Sequence, residues 1–170
     1  FAPLGMTQTT FDIANVPERD RSFILDAGTD RLLPEWHTPP TGDTGLYSTP
    51  RDLLKFSREV LDINLRRKIG IYSVYATDLM FRELTSGRFD RTLVFWKKSN
   101  SRLFGRCFGD LNSEHAVFHT GYTGCILLLD PEYDLCIALL TNSPGLHACD
   151  ENYSRIINRL MGSLGARSHP

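Results

Sequence analysis

The residues best suited to chemistry in this chain lie in one run, His119-Thr120-Gly121-Tyr122-Thr123-Gly124. It combines an imidazole, hydroxyls and a glycine whose missing side chain lets a substrate approach the backbone closely. An unperturbed imidazole is mostly neutral at pH 7, so it binds a carboxylate less firmly than an ammonium would. The run lacks a nucleophile with its base. No serine has Lys three residues on; Ser48 has Arg51, which stays protonated and cannot take a proton. His115 and His119, with Glu114 beside them, could chelate zinc on a helix. Val117 and Phe118 argue for a strand instead, where residues four apart lie about 13 Å from each other. The expectation is therefore no metal and no cofactor. Taken singly, His119 reads as a strand histidine holding a backbone carbonyl, Thr123 as a strand residue and Asn142 as a turn residue. Asp43 and Asp52 read as loop and cap residues.

The elements that would position this run can be read from pattern. The 170 residues are 41% apolar and 23% charged, a globular composition with enough chain for one core. A net charge of -1 gives no electrostatic reason to expect nucleic acid or an anionic membrane as partner. No apolar run is long enough to span a bilayer. Cys107, Cys125, Cys136 and Cys149 form no Cys-x-x-Cys and read as small apolar residues in a reducing setting. The chain starts at Phe1 with no leader pattern, which suggests a piece of something longer.

Residues 1–45 are punctuated by Pro and Gly and predict loops, with brief strands such as Phe23-Ile24-Leu25. Thr49, Pro50 and Asp52 signal a helix start. Leu53, Leu54, Phe56, Val60 and Leu61 continue it as an apolar stripe to about residues 62–65. A second helix is expected over 77–84. Thr92 to Trp96 predicts a strand, 98–112 a loop, and His115 to His119 a second strand. Cys125 to Asp130 and Leu135 to Thr141 predict an apolar hairpin around Pro131-Glu132-Tyr133, with Cys136 opposite Leu128 or Leu129. Near-continuous apolar strands imply a sheet covered on both faces. Asp150 should cap a closing helix that carries Tyr153, Ile156, Ile157, Leu160 and Met161. The Arg66-Arg67-Lys68 run reads as a solvated helix end. The class is α/β (α+β), an antiparallel sheet covered by helices. Residues 1–90 form the loop-rich and helical part, and 91–170 the strands and last helix.

The order of motifs resembles the C-terminal part of the serine β-lactamase and penicillin-binding-protein superfamily. The resemblance is to the group of class C β-lactamases, D-alanyl-D-alanine carboxypeptidases and esterases. Pro3-Leu4-Gly5-Met6 with Thr9-Thr10-Phe11 is similar to the segment after the second active-site motif. Gly42 to Leu53 resembles the Gly-rich loop that opens a helix. Phe118 to Gly124 resembles the third-motif strand, and Asp130-Pro131-Glu132 with Leu139-Leu140-Thr141-Asn142 the hairpin after it. These pieces cover nearly the whole chain in the right order.

The resemblance implies acyl transfer: a Ser attacks an amide or ester carbonyl, and water hydrolyses the acyl-enzyme. It implies that His119, Thr120 and Gly121 line the substrate and that the backbone N–H of Tyr122 serves the oxyanion hole. Thr123 and Asn142 would bind substrate. Two departures qualify this. His119 stands where β-lactamases usually carry Lys, which favours esters or peptides over penicillins. The chain also holds no Ser-x-x-Lys, Tyr-x-Asn or Ser-x-Asn. The expected partners are a small-molecule or peptide substrate and the missing N-terminal portion of the fold, or a partner chain carrying it. The other reading is a non-catalytic binding or assembly module that retains the fold.

Overall fold

A computed structural model describes residues 1–21, 45–98, 108–121, 123–142 and 150–165. Helix α1 spans Pro50–Asn64. Thr49 caps it by accepting the Asp52 N–H, and Pro50 sits in the first turn, where a missing N–H costs nothing. Val60, Leu61 and Ile63 are fully buried, whereas Leu54 of the expected stripe is exposed. Helix α2 spans Val74–Phe81, earlier than expected, because the Ser73 hydroxyl accepts from the Ala76 N–H and opens the helix there.

Strands β1 (Trp96–Lys97), β2 (Val117–Thr120), β3 (Ile126–Asp130) and β4 (Leu135–Leu139) form one antiparallel sheet in that order. Helix α3, Asp150–Gly165, closes the chain; the capping role expected of the Asp150 side chain lies outside the described residues. The hairpin register pairs Leu129 with Cys136 and Asp130 with Leu135, as expected from the turn. Asp134 closes that turn at φ 52, a backbone state that Asp tolerates better than most residues.

Alternation along the strands divides the core in two. The row Trp96, Phe118, Leu128 and Ile137 packs against Tyr153, Ile157 and Met161 of α3. The row Val117, Leu129 and Cys136 packs against Val60 and Leu61 of α1 and Met80 and Phe81 of α2. The sheet is thus covered on both faces. Among the described residues β4 is nevertheless an edge strand.

Residues 1–21 contain three 3-10 turns and dock on α1. The buried Asp52 carboxylate accepts the Gln8 N–H at 2.7 Å, the Thr9 hydroxyl at 3.0 Å and the Lys55 ammonium at 2.8 Å. Thr10 and Tyr47 form an isolated bridge. Phe23-Ile24-Leu25 and Gly42-Asp43-Thr44 lie outside the described residues. The basic run after α1 is more than a solvated end, because each member meets a carboxylate. Arg66 pairs with Asp78, Arg67 with Asp134 and Asp62, and Lys68 with the buried Glu59.

Thr92 to Phe95 is a turn rather than a strand. Thr92 accepts the Phe95 N–H on its hydroxyl at 2.8 Å and donates its own N–H to the Phe95 carbonyl at 2.9 Å. Of the residues that suggested a strand, Phe95 is buried against α1 and α2, whereas Leu93 and Val94 are exposed.

Candidate active site

His119 and Thr120 end β2, and what leaves them accessible is the shortness of β1. Trp96 pairs with Phe118, and one residue earlier Phe95 has both backbone groups committed to Thr92. Among the described residues, His119 and Thr120 therefore have a strand neighbour on one side only, through Leu127 and Ile126. Thr120 is not a hydrogen-bonded partner of β3 if the alternation from the Gly121 N–H···Cys125 carbonyl bond (2.9 Å) is followed. Its backbone groups then face the side that β1 leaves open.

His119 is exposed and lies on the sheet face that carries α1 and α2. Its Nδ1 stands 2.8 Å from the Thr120 carbonyl oxygen. A carbonyl only accepts, so Nδ1 carries the proton and Nε2 keeps its lone pair. Desolvation by the surrounding protein lowers the pKa of His119, the bond to Thr120 opposes this, and the nearby charge of Arg91 lowers it further. The imidazole is thus held neutral, with an acceptor rather than a cation turned outward. Arg91 is itself fixed by its guanidinium, which stacks 4.1 Å from the centre of the Trp96 ring.

Beyond Thr120 the chain turns into β3. The Gly124 N–H donates to the Gly121 carbonyl at 2.9 Å, and Gly124 adopts φ 83, where glycine avoids strain. A Cβ on Gly121 would meet the Cys125 Cβ at 3.3 Å, so local packing favours glycine there as well. Thr123 is half-buried with its hydroxyl 3.3 Å from the Cys125 thiol, and its carbonyl accepts the Thr141 hydroxyl. Asn142 is exposed and follows Thr141, which brings it to the same end of the sheet. His119, Thr120, Gly121, Thr123 and Asn142 are therefore gathered together; Tyr122 lies outside the described residues.

His115 precedes β2, at the other end of the strand, and donates its N–H to Ser113. Among the described residues no three His, Cys, Asp or Glu side chains converge on a possible metal position. Cys125 and Cys136 are free thiols, burial pushing Cys136 up to about 11; Cys107 and Cys149 are outside the described residues. No described helix is long and apolar enough to cross a membrane. Sequence reasoning missed the Thr92 turn, Arg91 and Thr141. Only the first had a local signal, a Thr three residues before a buried aromatic.

A family model described as Beta-lactamase matches residues 1–158. The chain belongs to the β-lactamase family. Among curated proteins, an N-acetylmuramyl-L-alanine amidase of Bacillus subtilis (strain 168) is 33% identical over 103 residues, 60% of this chain and 23% of that protein. Among solved structures, a β-lactamase from Mycobacterium bovis aligns with a TM-score of 0.57 at 19% identity, over 71% of this chain and 46% of that one. Simvastatin synthase from Aspergillus terreus aligns with a TM-score of 0.58 at 17% identity, over 94% of this chain and 47% of that one. These establish a β-lactamase-type serine-hydrolase fold. The chain spans about a quarter of the curated relative's length and about half that of the two solved structures.

Proposed function

We propose that these residues form the third-motif wall of a serine hydrolase that cleaves amide or ester bonds through an acyl-enzyme. His119, Thr120 and Gly121 line the substrate, and the backbone N–H of Tyr122 donates to the oxyanion. Thr123 and Asn142 contact the remainder of the substrate. The nucleophilic Ser with its Lys, and the Tyr that handles the proton, belong to a part of the fold outside these residues or to a partner chain. The observation that carries this reading is the one-sided pairing of β2 at His119 and Thr120, beside a neutral, outward-facing imidazole. A substrate can lie along that edge as an added strand. The amidase among the relatives supports an amide as one target bond.

A neutral His119 offers no cation to a substrate carboxylate, so penicillins are poor substrates and esters or peptides better ones. The test is intact-mass detection of the acyl-enzyme in the full gene product. The product would be incubated separately with an activated ester and with benzylpenicillin. Fast ester turnover with slow penicillin acylation is the expected result; the reverse order overturns the substrate preference. No adduct and no turnover with either would favour the non-catalytic module, a reading whose support is the lack of Ser-x-x-Lys in this chain.

A further inference from the structure

Thr141 lies two residues beyond the end of β4, yet it is bonded to the turn that follows His119-Thr120. Its hydroxyl donates to the carbonyl of Thr123, 18 positions earlier in sequence. Its carbonyl accepts the thiol of Cys125 at 3.4 Å, and that sulfur also lies 3.3 Å from the Thr123 hydroxyl. Within the turn, the Gly121 N–H donates to the Cys125 carbonyl and the Gly124 N–H to the Gly121 carbonyl. Two of the residues closing this turn are glycines, which have more backbone states to lose than any other residue. Backbone donors aimed at a developing charge must be held within a fraction of an ångström. A bond from outside the turn adds a restraint that bonds within it do not supply.

We infer that Thr141, acting with Cys125, is a positioning residue: it braces the turn after the third motif and so sets the aim of that turn's backbone amides. The inference rests on the proposed hydrolase reading. It adds a residue that touches the turn rather than the substrate. The brace also fixes Asn142, because the hydroxyl that holds Thr123 belongs to the residue just before it.

The test compares Thr141→Val, which keeps the shape and loses the hydroxyl, with Thr141→Ser, which keeps the hydroxyl. Both are made in the full gene product. Amide hydrogen exchange is followed residue by residue, and hydrolysis of an activated ester is measured in parallel. For Thr141→Val, exchange at residues 121–125 should quicken while the cores of α1 and α3 stay as protected as before. The value of kcat should fall roughly tenfold or more with KM within about twofold, as expected for a loss of aim rather than of binding. Thr141→Ser should restore both. Wild-type exchange in the turn together with unchanged kcat would overturn the inference. So would quickened exchange spread evenly over the whole molecule, because Thr141 would then serve stability alone. If the wild-type protein hydrolyses nothing, a local exchange change that Ser reverses still upholds the brace, and only the hydrolase reading fails.

Discussion

At the scale of single residues, the third-motif histidine differs from a lysine in more than charge. A lysine there would present a cation at any neutral pH. His119 is committed by its bond to the Thr120 carbonyl to presenting Nε2 as an acceptor, and desolvation and Arg91 both work against protonation. Its pKa lies below the ordinary histidine value, so the neutral form persists to lower pH than in a free imidazole. Hydrolysis that depends on His119 should therefore decline at a more acid pH than a free histidine would set. A kcat/KM–pH profile of wild type against His119→Gln checks this. An acid limb centred at the ordinary histidine pKa would show that the imidazole is not held neutral. Much of this residue was legible in sequence: it does hold a backbone carbonyl, as a strand histidine was expected to. Which nitrogen makes that bond, and hence which one faces outward, could not be read from the motif.

Elements add a second layer, in which buried carboxylates join segments far apart in sequence. Asp52 lies in the first turn of α1, where a negative charge also suits the helix dipole. Its burial raises the carboxyl pKa. The bonds from Lys55, Gln8 and Thr9 and the Lys55 charge outweigh that and leave it lowered. Because the folded value lies below the unfolded one near 4, the stabilisation is complete above about pH 4 and is lost as pH falls through the folded value. Asp52→Asn should cost about 1.5–3 kcal/mol at neutral pH, the range for hydrogen bonds to a charged group. It should also release residues 1–10 from α1. Urea unfolding at pH 7 measures the first effect and amide exchange at Gln8 and Thr9 the second; a variant as stable as wild type would mean that the carboxylate is no more than a helix-start residue. Helix α1 was legible because its signals are contiguous: Thr49, Pro50 and Asp52, then the apolar stripe. The docking of Thr9 on Asp52 was not, since it joins residues 43 positions apart. The strand expected over 92–96 failed for a related reason. Residue type reports a preference for extended backbone, whereas the Thr92 hydroxyl bonding to Phe95 is what ends the ladder.

For the molecule as a whole, the hairpin β3–β4 was the most legible part. An unbroken apolar run on both arms can only be buried from two sides, and its turn length sets the register. The same run leaves a consequence at β4. Leu128 pairs with Ile137 and Leu127 with Ala138, and the ladder alternates from the Gly121–Cys125 bond. By that alternation the N–H and C=O groups of Ile137 face β3, whereas those of Cys136 and Ala138 face away from it. Among the described residues no strand receives them. An apolar edge with unpaired donors and acceptors is a template for another strand. A polypeptide of these 170 residues alone should therefore self-associate at micromolar concentrations. Ala138→Pro removes one outward N–H without touching a bond to β3, so it should shift the chain toward monomer in sedimentation velocity while leaving its circular dichroism intact. Ile137→Pro, which deletes an inward bond, should unfold the hairpin instead. If Ala138→Pro self-associates as strongly as the parent chain, the contact lies elsewhere on the surface. The exposed apolar residues Ile69 and Ile71 between α1 and α2, with Tyr75 in the first turn of α2, would then be the next place to substitute.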